Sequence, residues 1–554
     1  MAKVTGSHLL VKALKNEGVN TIFYLASAPT AESAKLLFEA GIRLIGFRHE
    51  QGAAFAAHAY SRVSGRPGVC CAEAGPAVTN LMTGVGNAFL DGVPLVALGA
   101  LNTLFGKGMG SFQELDQVGL LKPITKWTDQ VNNPKRIPEL INKAFRMATG
   151  GQPGPVYVDL PMEILAAEVE ENEILFPKNP HKPARSLGDP ERVKQAIALL
   201  SDAQRPLILT GTGVFWSGAS AELREFVELT GIPFYTTPQG RGVIPEDHML
   251  CFPGARNTAF READVVLVVG TRFNFIVSYG MPPRWAPDLK VIQVDIAEEE
   301  IGRNRPVNVG IVGDAKMVLH QLSEEARSVF RGRGELSWVG KLRQQDKGWQ
   351  EKSAALLNSN QIPIHPLRLC KEVRDFMDRE AILAVDGHDT LNFARQSIST
   401  FIPGHRVNAG PNGCMGVAIP YGLGAKAAKP NAQVIVLSGD GSFGMNGFEI
   451  DTAVRHNLPV LIVVNNNGGW CAEGLMFGRE LGVGRYEKVA EALGAYGEYV
   501  ERPQDIRPAL ERAAKAVAGG RPAVVNVATD PKASSTTTVS LSGIFALQLG
   551  SRPT

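Results

Sequence analysis

The residues best placed to do chemistry lie in one stretch, VIVLSGDGSFGMNGFEIDTAVRHNLPVLIVVNNNGGW (434–470). An apolar, strand-like run ends at Ser438, and Gly439-Asp440-Gly441-Ser442 then turns into a helix. A second apolar run ends at Asn465-Asn466-Asn467. In an open parallel sheet, ligands bind at the carboxyl ends of the strands, so this order puts a carboxylate and several amides from two strands on one edge. Asp440 and Asn467 are hard oxygen donors suited to Mg²⁺ or Ca²⁺. Gly441 and Ser442 open a helix, whose free N–H groups hold phosphate. A divalent cation bridging to a diphosphate follows from the combination. Gly-Asp-Gly alone is a common turn.

Other segments carry candidates of the same kind. In GFRHEQGAAFAAHAYSRVSG (46–65), Glu50 stands where a strand passes into a helix. By position alone such a glutamate is a surface residue favoured by the helix dipole. Further candidates are Gly75-Pro76 in AEAGPAVTN (72–80), Gln113 in GSFQELDQVGLLKPITKW (110–127), Gly387-His388-Asp389 in DGHDTLNFARQ (386–396), and Gly413 with Met415 in NAGPNGCMGVAIPYGLGAKAA (408–428). Gln113 is suited to hydrogen-bond a carbonyl or a developing oxyanion, and Met415 to fill irregular apolar space.

Gly-Asp-Gly followed about 25 residues later by an asparagine run, each after a strand, resembles the signature of thiamine diphosphate (ThDP) enzymes. Over essentially its whole length the chain is similar to the acetolactate synthase, oxalyl-CoA decarboxylase and benzaldehyde lyase superfamily, and most to 2-hydroxyacyl-CoA lyase. The resemblance implies ThDP and Mg²⁺ as cofactors. It implies that Glu50 contacts N1′ of the aminopyrimidine and promotes loss of the C2 proton. It implies a Gly413 carbonyl facing N4′, a Met415 wedge that bends the cofactor, and a Gln113 facing the reacting carbon. The catalytic set is then Glu50, Gln113 and Gly413. Gly75, Gly387, His388, Asp389, Gly439, Asp440, Gly441, Ser442 and Asn467 join Glu50, Gly413 and Met415 in binding the cofactor. Asp440, Asn467 and Gly469 hold the metal. The usual Gly-Pro-Gly is Gly75-Pro76-Ala77 here, a departure that narrows the thiazolium side.

The branch is less uniform. Ser27-Ala28-Pro29 and ADVVLVVGTRFNFIVSYGMPPRWAPDLKVIQVDIAEEEIGRN (263–304) are similar to the acyl-CoA relatives, whereas SFQELDQVGLLKPITKW looks like acetolactate synthase and benzaldehyde lyase. The acyl-CoA relatives carry a tyrosine after the asparagine run, where this chain has Trp470 and Cys471. Trp470 suits the wall of an apolar acyl or aldehyde pocket, and Cys471 is a small filler. Gly211-Thr212-Gly213 follows a strand in the middle block, where relatives hold ADP, the nucleotide of CoA, or FAD. Arg256 and Arg272 are its candidate phosphate partners, and a domain without ligand is the alternative. The implied reaction is that of a ThDP- and Mg²⁺-dependent carbon–carbon lyase or carboligase. It is 2-hydroxyacyl-CoA lyase-like, giving aldehyde and formyl-CoA or the reverse acyloin condensation. The alternatives are acetolactate synthase-like condensation or decarboxylation of a 2-oxo acid, and a catalytically silent ThDP-fold binding protein.

Apolar runs alternating with helix-period segments position these residues on parallel sheets. The fold class is α/β, with three consecutive doubly wound parallel-sheet domains. They are a pyrimidine-binding domain at 1–165, a central domain at 190–330 and a diphosphate-binding domain at 364–530. The stretch EVEENEILFPKNPHKPARSLGDP reads as a linker, and the tail at 531–554 as either an active-site lid or a frayed end. The chain has 554 residues, with 57 basic and 55 acidic side chains for a net +2. That balance argues against nucleic acid as the partner. No run reaches the roughly 18–20 apolar residues of a membrane span. The opening MAKVTGSHLLVKALKNEGV reads as an amphipathic helix, not a signal peptide. The six cysteines are scattered without a CxxC pair, which fits reduced thiols in a cytoplasmic protein. A small-molecule substrate and a homodimer at minimum, with a homotetramer by resemblance, complete the expectation.

Overall fold

The computed structural model describes residues 3–25, 31–177, 184–332, 334–470, 477–533 and 535. Strands of near-continuous Val, Ile, Leu and Ala bury both faces of a sheet, the pattern of parallel sheets covered by helices. Three such sheets form, and the fold is three parallel-sheet α/β domains in series. In the first, six parallel strands lie in the order Arg43–Gly46, Thr21–Tyr24, Gly68–Ala72, Leu95–Leu101, Pro155–Pro161 and Trp127–Gln130. In the second, five lie in the order Phe234–Thr236, Pro206–Thr210, Val265–Val269, Lys290–Asp295 and Val309–Val312. The third contains, in order, the parallel strands Ile382–Asp386, Val434–Gly439, Leu461–Asn466, Ala523–Ala528 and Tyr496–Val500.

The chain divides into two compact units, Met1–Gln350 with Thr400–Cys414 and Ala427–Pro430, and Glu351–Ser399 with Met415–Lys426 and Asn431–Thr554. The first two sheets lie in the former. The parallel strands of the third lie in the latter.

In the first sheet the helix Glu50–Ser64 is buried along nearly its whole length. Its Ala-rich sequence makes that burial feasible, because neighbouring backbones approach closely. A Cβ added to Gly84, in the helix Pro76–Asp91, would sit 2.4 Å from the Ala54 methyl. One added to Gly68 would sit 2.0 Å from the Ala57 carbonyl oxygen. Gly65 closes the helix in the left-handed conformation (φ 69°) with its N–H on the Ser61 carbonyl. The helix is therefore clamped, and Glu50 at its first position is held with it.

Two local readings change. The N-terminal segment opens with a strand, Lys3–Thr5, before the helix Gly6–Asn16, because Thr5 caps that helix through a bond from the His8 N–H. Part of the stretch read as linker, Glu168–Glu170, pairs antiparallel with that strand.

Candidate active site

The strand Val434–Gly439 runs directly into the helix Asp440–Asn446, and Gly439 lies beside Asn465 of the parallel strand Leu461–Asn466. Asp440 is 2% exposed. Its Oδ1 accepts the Gly441 N–H at 2.9 Å, whereas its Oδ2 is buried with no hydrogen-bond partner. One end of the Asn467 amide lies 3.0 Å from the Gly469 carbonyl oxygen and 3.2 Å from Asp440 Oδ1. With nitrogen at that end it donates to both. With oxygen there, it lies within 3.2 Å of both of those oxygens. Burial pushes the Asp440 carboxyl up to about 6, against the pull of the Gly441, Gly468 and Gly469 N–H groups. A buried carboxylate oxygen without a donor calls for a proton or a cation. Carboxylate, amide and carbonyl oxygens are the donor set of a hard divalent ion, so these residues fit Mg²⁺.

The neighbouring turns converge on the same edge. Gly387 (φ 90°) caps the helix His388–Ser397, and a Cβ there would lie 3.2 Å from the Gly439 nitrogen. His388 Nδ1 is 3.4 Å from Asp389 Oδ1. Asp386, which the sequence reading passed over, joins two segments. Its Oδ1 accepts the Gly387 N–H at 2.6 Å, and its Oδ2 accepts the N–H groups of Val417 (2.6 Å) and Ala418 (3.2 Å). The segment beginning at Met415 is thus tied to the Gly387-His388-Asp389 turn. Asn446 adds a bond to the Gly416 carbonyl at 2.7 Å. The Trp470 indole packs against the start of the helix Asp440–Asn446. A Cβ on Gly441 would meet its Cε3 and Cζ3 at 2.7 Å. Cys471 lies outside the described residues, as do Ser27-Ala28-Pro29 and nearly all of the tail.

In the other unit, Glu50 is 7% exposed and accepts a hydrogen bond from Asn80 Nδ2 at 2.9 Å. Asn80 stands one turn into the helix Pro76–Asp91, which Gly75 caps with φ 62°. The space a Gly75 side chain would occupy belongs to Gln113, whose Cβ would be 2.7 Å away. Gln113 itself has φ 59°, in the left-handed region. Glu50 with Asn80, and Gly75 with Gln113, thus form two buried or tightly packed pairs. Gly413 (φ 67°) ends the 3₁₀ turn Gly410–Asn412, where the left-handed conformation favours glycine.

Comparison with known proteins identifies the chain. Residues 4–120 match the thiamine pyrophosphate enzyme N-terminal TPP binding domain, 193–322 the central domain, and 389–527 the C-terminal TPP binding domain. A probable acetolactate synthase of Mycobacterium bovis is 37% identical over 532 residues, covering 94% of this chain and 95% of that protein. Oxalyl-CoA decarboxylase of Escherichia coli is 34% identical over 546 residues, covering 95% of each. Human 2-hydroxyacyl-CoA lyase 1 is 32% identical over 553 residues, covering 96% and 95%. The chain belongs to the thiamine pyrophosphate enzyme family. It is a ThDP-dependent carbon–carbon lyase or carboligase. Among the described residues no helix is long and apolar enough to cross a membrane.

This thiamine pyrophosphate enzyme has a cavity of about 230 Å³ beside its second sheet, lined among others by Gly213, Gly270, Arg272, Asp295 and Asp314. Chain order reverses between the strands Pro206–Thr210 and Val265–Val269, the switch point where open α/β sheets take ligands. Gly211 caps the helix Thr212–Ser217 there. A Cβ on Gly213 would lie 2.5 Å from the Gly270 Cα, so the first turn needs glycine to meet the second. Of the two candidate arginines, Arg272 lines the cavity and donates to the Leu90 carbonyl at 2.6 Å. Arg256 lies elsewhere. It donates to the Thr236 carbonyl at 2.7 Å and stacks 4.7 Å from the Phe260 centroid. Asp295 accepts the Ala297 N–H at 3.0 Å, and burial pushes its carboxyl up to about 6.

Proposed function

We propose that the enzyme cleaves a 2-hydroxyacyl-CoA to an aldehyde and formyl-CoA, or runs the reverse condensation. The observation that carries this reading is the cavity at the switch point of the second sheet, with Arg272 as cation and Asp295 as an acceptor for ribose hydroxyls. A 2-oxo acid enzyme has no need of an adenine nucleotide on its substrate. ADP or FAD at the same place, or no ligand, are the alternatives. Two of the relatives are named for acyl-CoA substrates.

Bound ThDP supplies the electron sink for carbanion chemistry. Glu50 would hold a proton at the aminopyrimidine, its carboxylate oriented by Asn80 and shielded from water by burial. Asp440, Asn467 and Gly469 would hold Mg²⁺. Gly439, Gly441 and Ser442 would meet the diphosphate on one side, and Gly387, His388 and Asp389 on the other. Gly75, Gly413 and Met415 would hold the aminopyrimidine and thiazolium end of the cofactor. Gln113 would hydrogen-bond the substrate oxygen as its charge changes. Resemblance to the family supports a homodimer as the minimum assembly and a homotetramer as the usual one.

A second reading, acetolactate synthase-like condensation of a 2-oxo acid, is favoured by Gln113 within Phe112-Gln113-Glu114 and by the 37% identity to a probable acetolactate synthase. Product analysis with ThDP and Mg²⁺ separates the two. Aldehyde plus formyl-CoA from a 2-hydroxyacyl-CoA supports the first reading. Acetolactate, acetoin or acetaldehyde from pyruvate alone overturns it in favour of the second.

A further inference from the structure

We propose that Gln117 is a positioning residue that fixes the Gly75 turn, and through it Gln113, from a polar hub inside the first sheet. The inference rests on the proposed role of Gln113 at the substrate oxygen. Gln117 opens the helix Gln117–Leu121 and is 1% exposed. Its Oε1 accepts the Gly75 N–H at 2.7 Å. Its Nε2 faces Asp159 Oδ1 at 2.7 Å, the Ala100 carbonyl at 3.1 Å and the Tyr157 hydroxyl at 3.1 Å. Tyr157 donates its hydroxyl to the same Asp159 oxygen.

The hub has one orientation. An ionised carboxylate accepts only, so Nε2 must face Asp159 and Oε1 must face Gly75. The sheet is built to admit it. A Cβ on Gly99 would sit 1.9 Å from the Tyr157 hydroxyl, so glycine at 99 makes the phenol's room. Above the hub, Gly75 has a left-handed φ and packs directly on Gln113. Gln113 is itself left-handed, a conformation that a non-glycine residue keeps only where its surroundings hold it. The Gly75 N–H bond to Gln117 fastens that turn to the hub, and the Gln117 bond to the Ala100 carbonyl fastens the hub to the strand Leu95–Leu101. Gln117 thus lies four residues from Gln113 in sequence and meets it in the structure through Gly75.

The charged and titratable groups around Asp159 are Tyr157 on its own strand, Asp116 beside Gln117, Lys107 from the preceding loop, and Cys71 on the strand Gly68–Ala72, which Glu73 follows. Only Lys107 among them is cationic. A second carboxylate at position 117 would therefore repel Asp159 until the pair shares a proton.

The test uses full-length holoenzyme with whichever substrate it turns over, and Gln113→Ala as reference. Gln117→Leu should lower kcat at least tenfold, while ThDP affinity and exchange of the cofactor C2 proton, to which Gly75 contributes beside Glu50 and the metal site, should fall by clearly less. Amide exchange at Gly75 should quicken. Gln113→Ala/Gln117→Leu should be no slower than Gln113→Ala. Gln117→Glu keeps the side-chain size and carries the test if Gln117→Leu does not fold. Its kcat relative to wild type should be low at pH 8 and recover as the pH falls toward 6, as a shared proton restores the donor to Asp159. Wild-type kcat in Gln117→Leu beside an impaired Gln113→Ala overturns the inference alone, as does a double variant whose losses multiply. A flat relative profile for Gln117→Glu overturns it as well. Wild-type kcat in Gln113→Ala overturns the reading of Gln113 and this inference with it.

Discussion

Asp440 keeps one carboxylate oxygen buried without a donor, while its other oxygen lies 3.2 Å from an end of the Asn467 amide that is also 3.0 Å from the Gly469 carbonyl oxygen. A bound divalent cation would reverse the effect of burial and hold the carboxyl ionised. Asp440→Ala should therefore weaken Mg²⁺-dependent ThDP binding at least tenfold in calorimetric titration, with little change in the absence of metal. Equal affinity with and without Mg²⁺ in both proteins would remove the metal assignment. Glu50 presents the complementary case, a buried acceptor held by one amide. Glu50→Gln should cut kcat by about 10²–10⁴-fold, the range of general acid–base catalysis, while ThDP still binds. Asn80→Ala should cost less, about tenfold, because it leaves the carboxylate and removes only its orientation. An Asn80→Ala loss as deep as that of Glu50→Gln would show that the amide does more than orient.

At the scale of elements, the turns do their work by what they exclude. The helix Asp440–Asn446 begins under the Trp470 ring, and only hydrogen at Gly441 leaves room for it. Gly441→Ala should displace the indole or the turn, so Mg²⁺-dependent ThDP affinity should fall and tryptophan emission should shift. Gly441→Ala/Trp470→Ala should regain part of that affinity. If the double variant binds no better than Gly441→Ala, the steric account fails. The same elements show what a sequence can convey. Strand–turn–helix patterning and residue type made Asp440 and the three sheets legible, because apolar runs and turn residues are local signals. Glu50 by position reads as a surface residue, which its burial corrects, and it stood out only through the family resemblance. The asparagine run was legible only as a block. In the structure its members diverge: Asn465 donates to Thr390 Oγ1 at 2.9 Å, Asn466 donates to the Gly484 carbonyl and to Asn526, and Asn467 faces Asp440. Asp386 was silent because its partners Val417 and Ala418 are backbone N–H groups some thirty residues away, which leave no mark on residue type. Trp470 suits a pocket wall by residue type, and its packing on Gly441 is a contact that no spacing rule contains. Arg256 and Arg272 look equivalent as isolated cations, and only the three-dimensional path of the second sheet separates them.

For the whole molecule, the cavity beside the second sheet would link the proposed nucleotide binding to stability and to pH. Asp295 titrates near 6 in the folded chain against an ordinary 3.8, because burial disfavours its charged form. Glu300 raises it further, and Arg272 and the backbone N–H groups of Ala297 and Ile296 oppose the rise. The folded state then binds this proton more tightly than the unfolded state does. The resulting stability is fully present below about pH 4 and is lost as the pH rises through about 6. A shift of about two units corresponds to roughly 3 kcal/mol as an upper figure. Asp295→Asn keeps an oxygen for the Ala297 N–H and has no charge to bury. The ligand-free variant should therefore match wild type near pH 4 and exceed its stability by up to about 3 kcal/mol at pH 7 in denaturant titration. In the nucleotide reading the same carboxylate accepts ribose hydroxyls, so the substitution should also reduce the stabilisation that saturating ADP or CoA would give wild type, about 2.7 kcal/mol at a hundredfold excess over Kd. A variant that is more stable yet responds fully to nucleotide would keep the burial argument and discard the ribose contact. A variant less stable than wild type at pH 7 would mean that the Asp295 charge is held by more than the Arg272 and N–H groups now facing it.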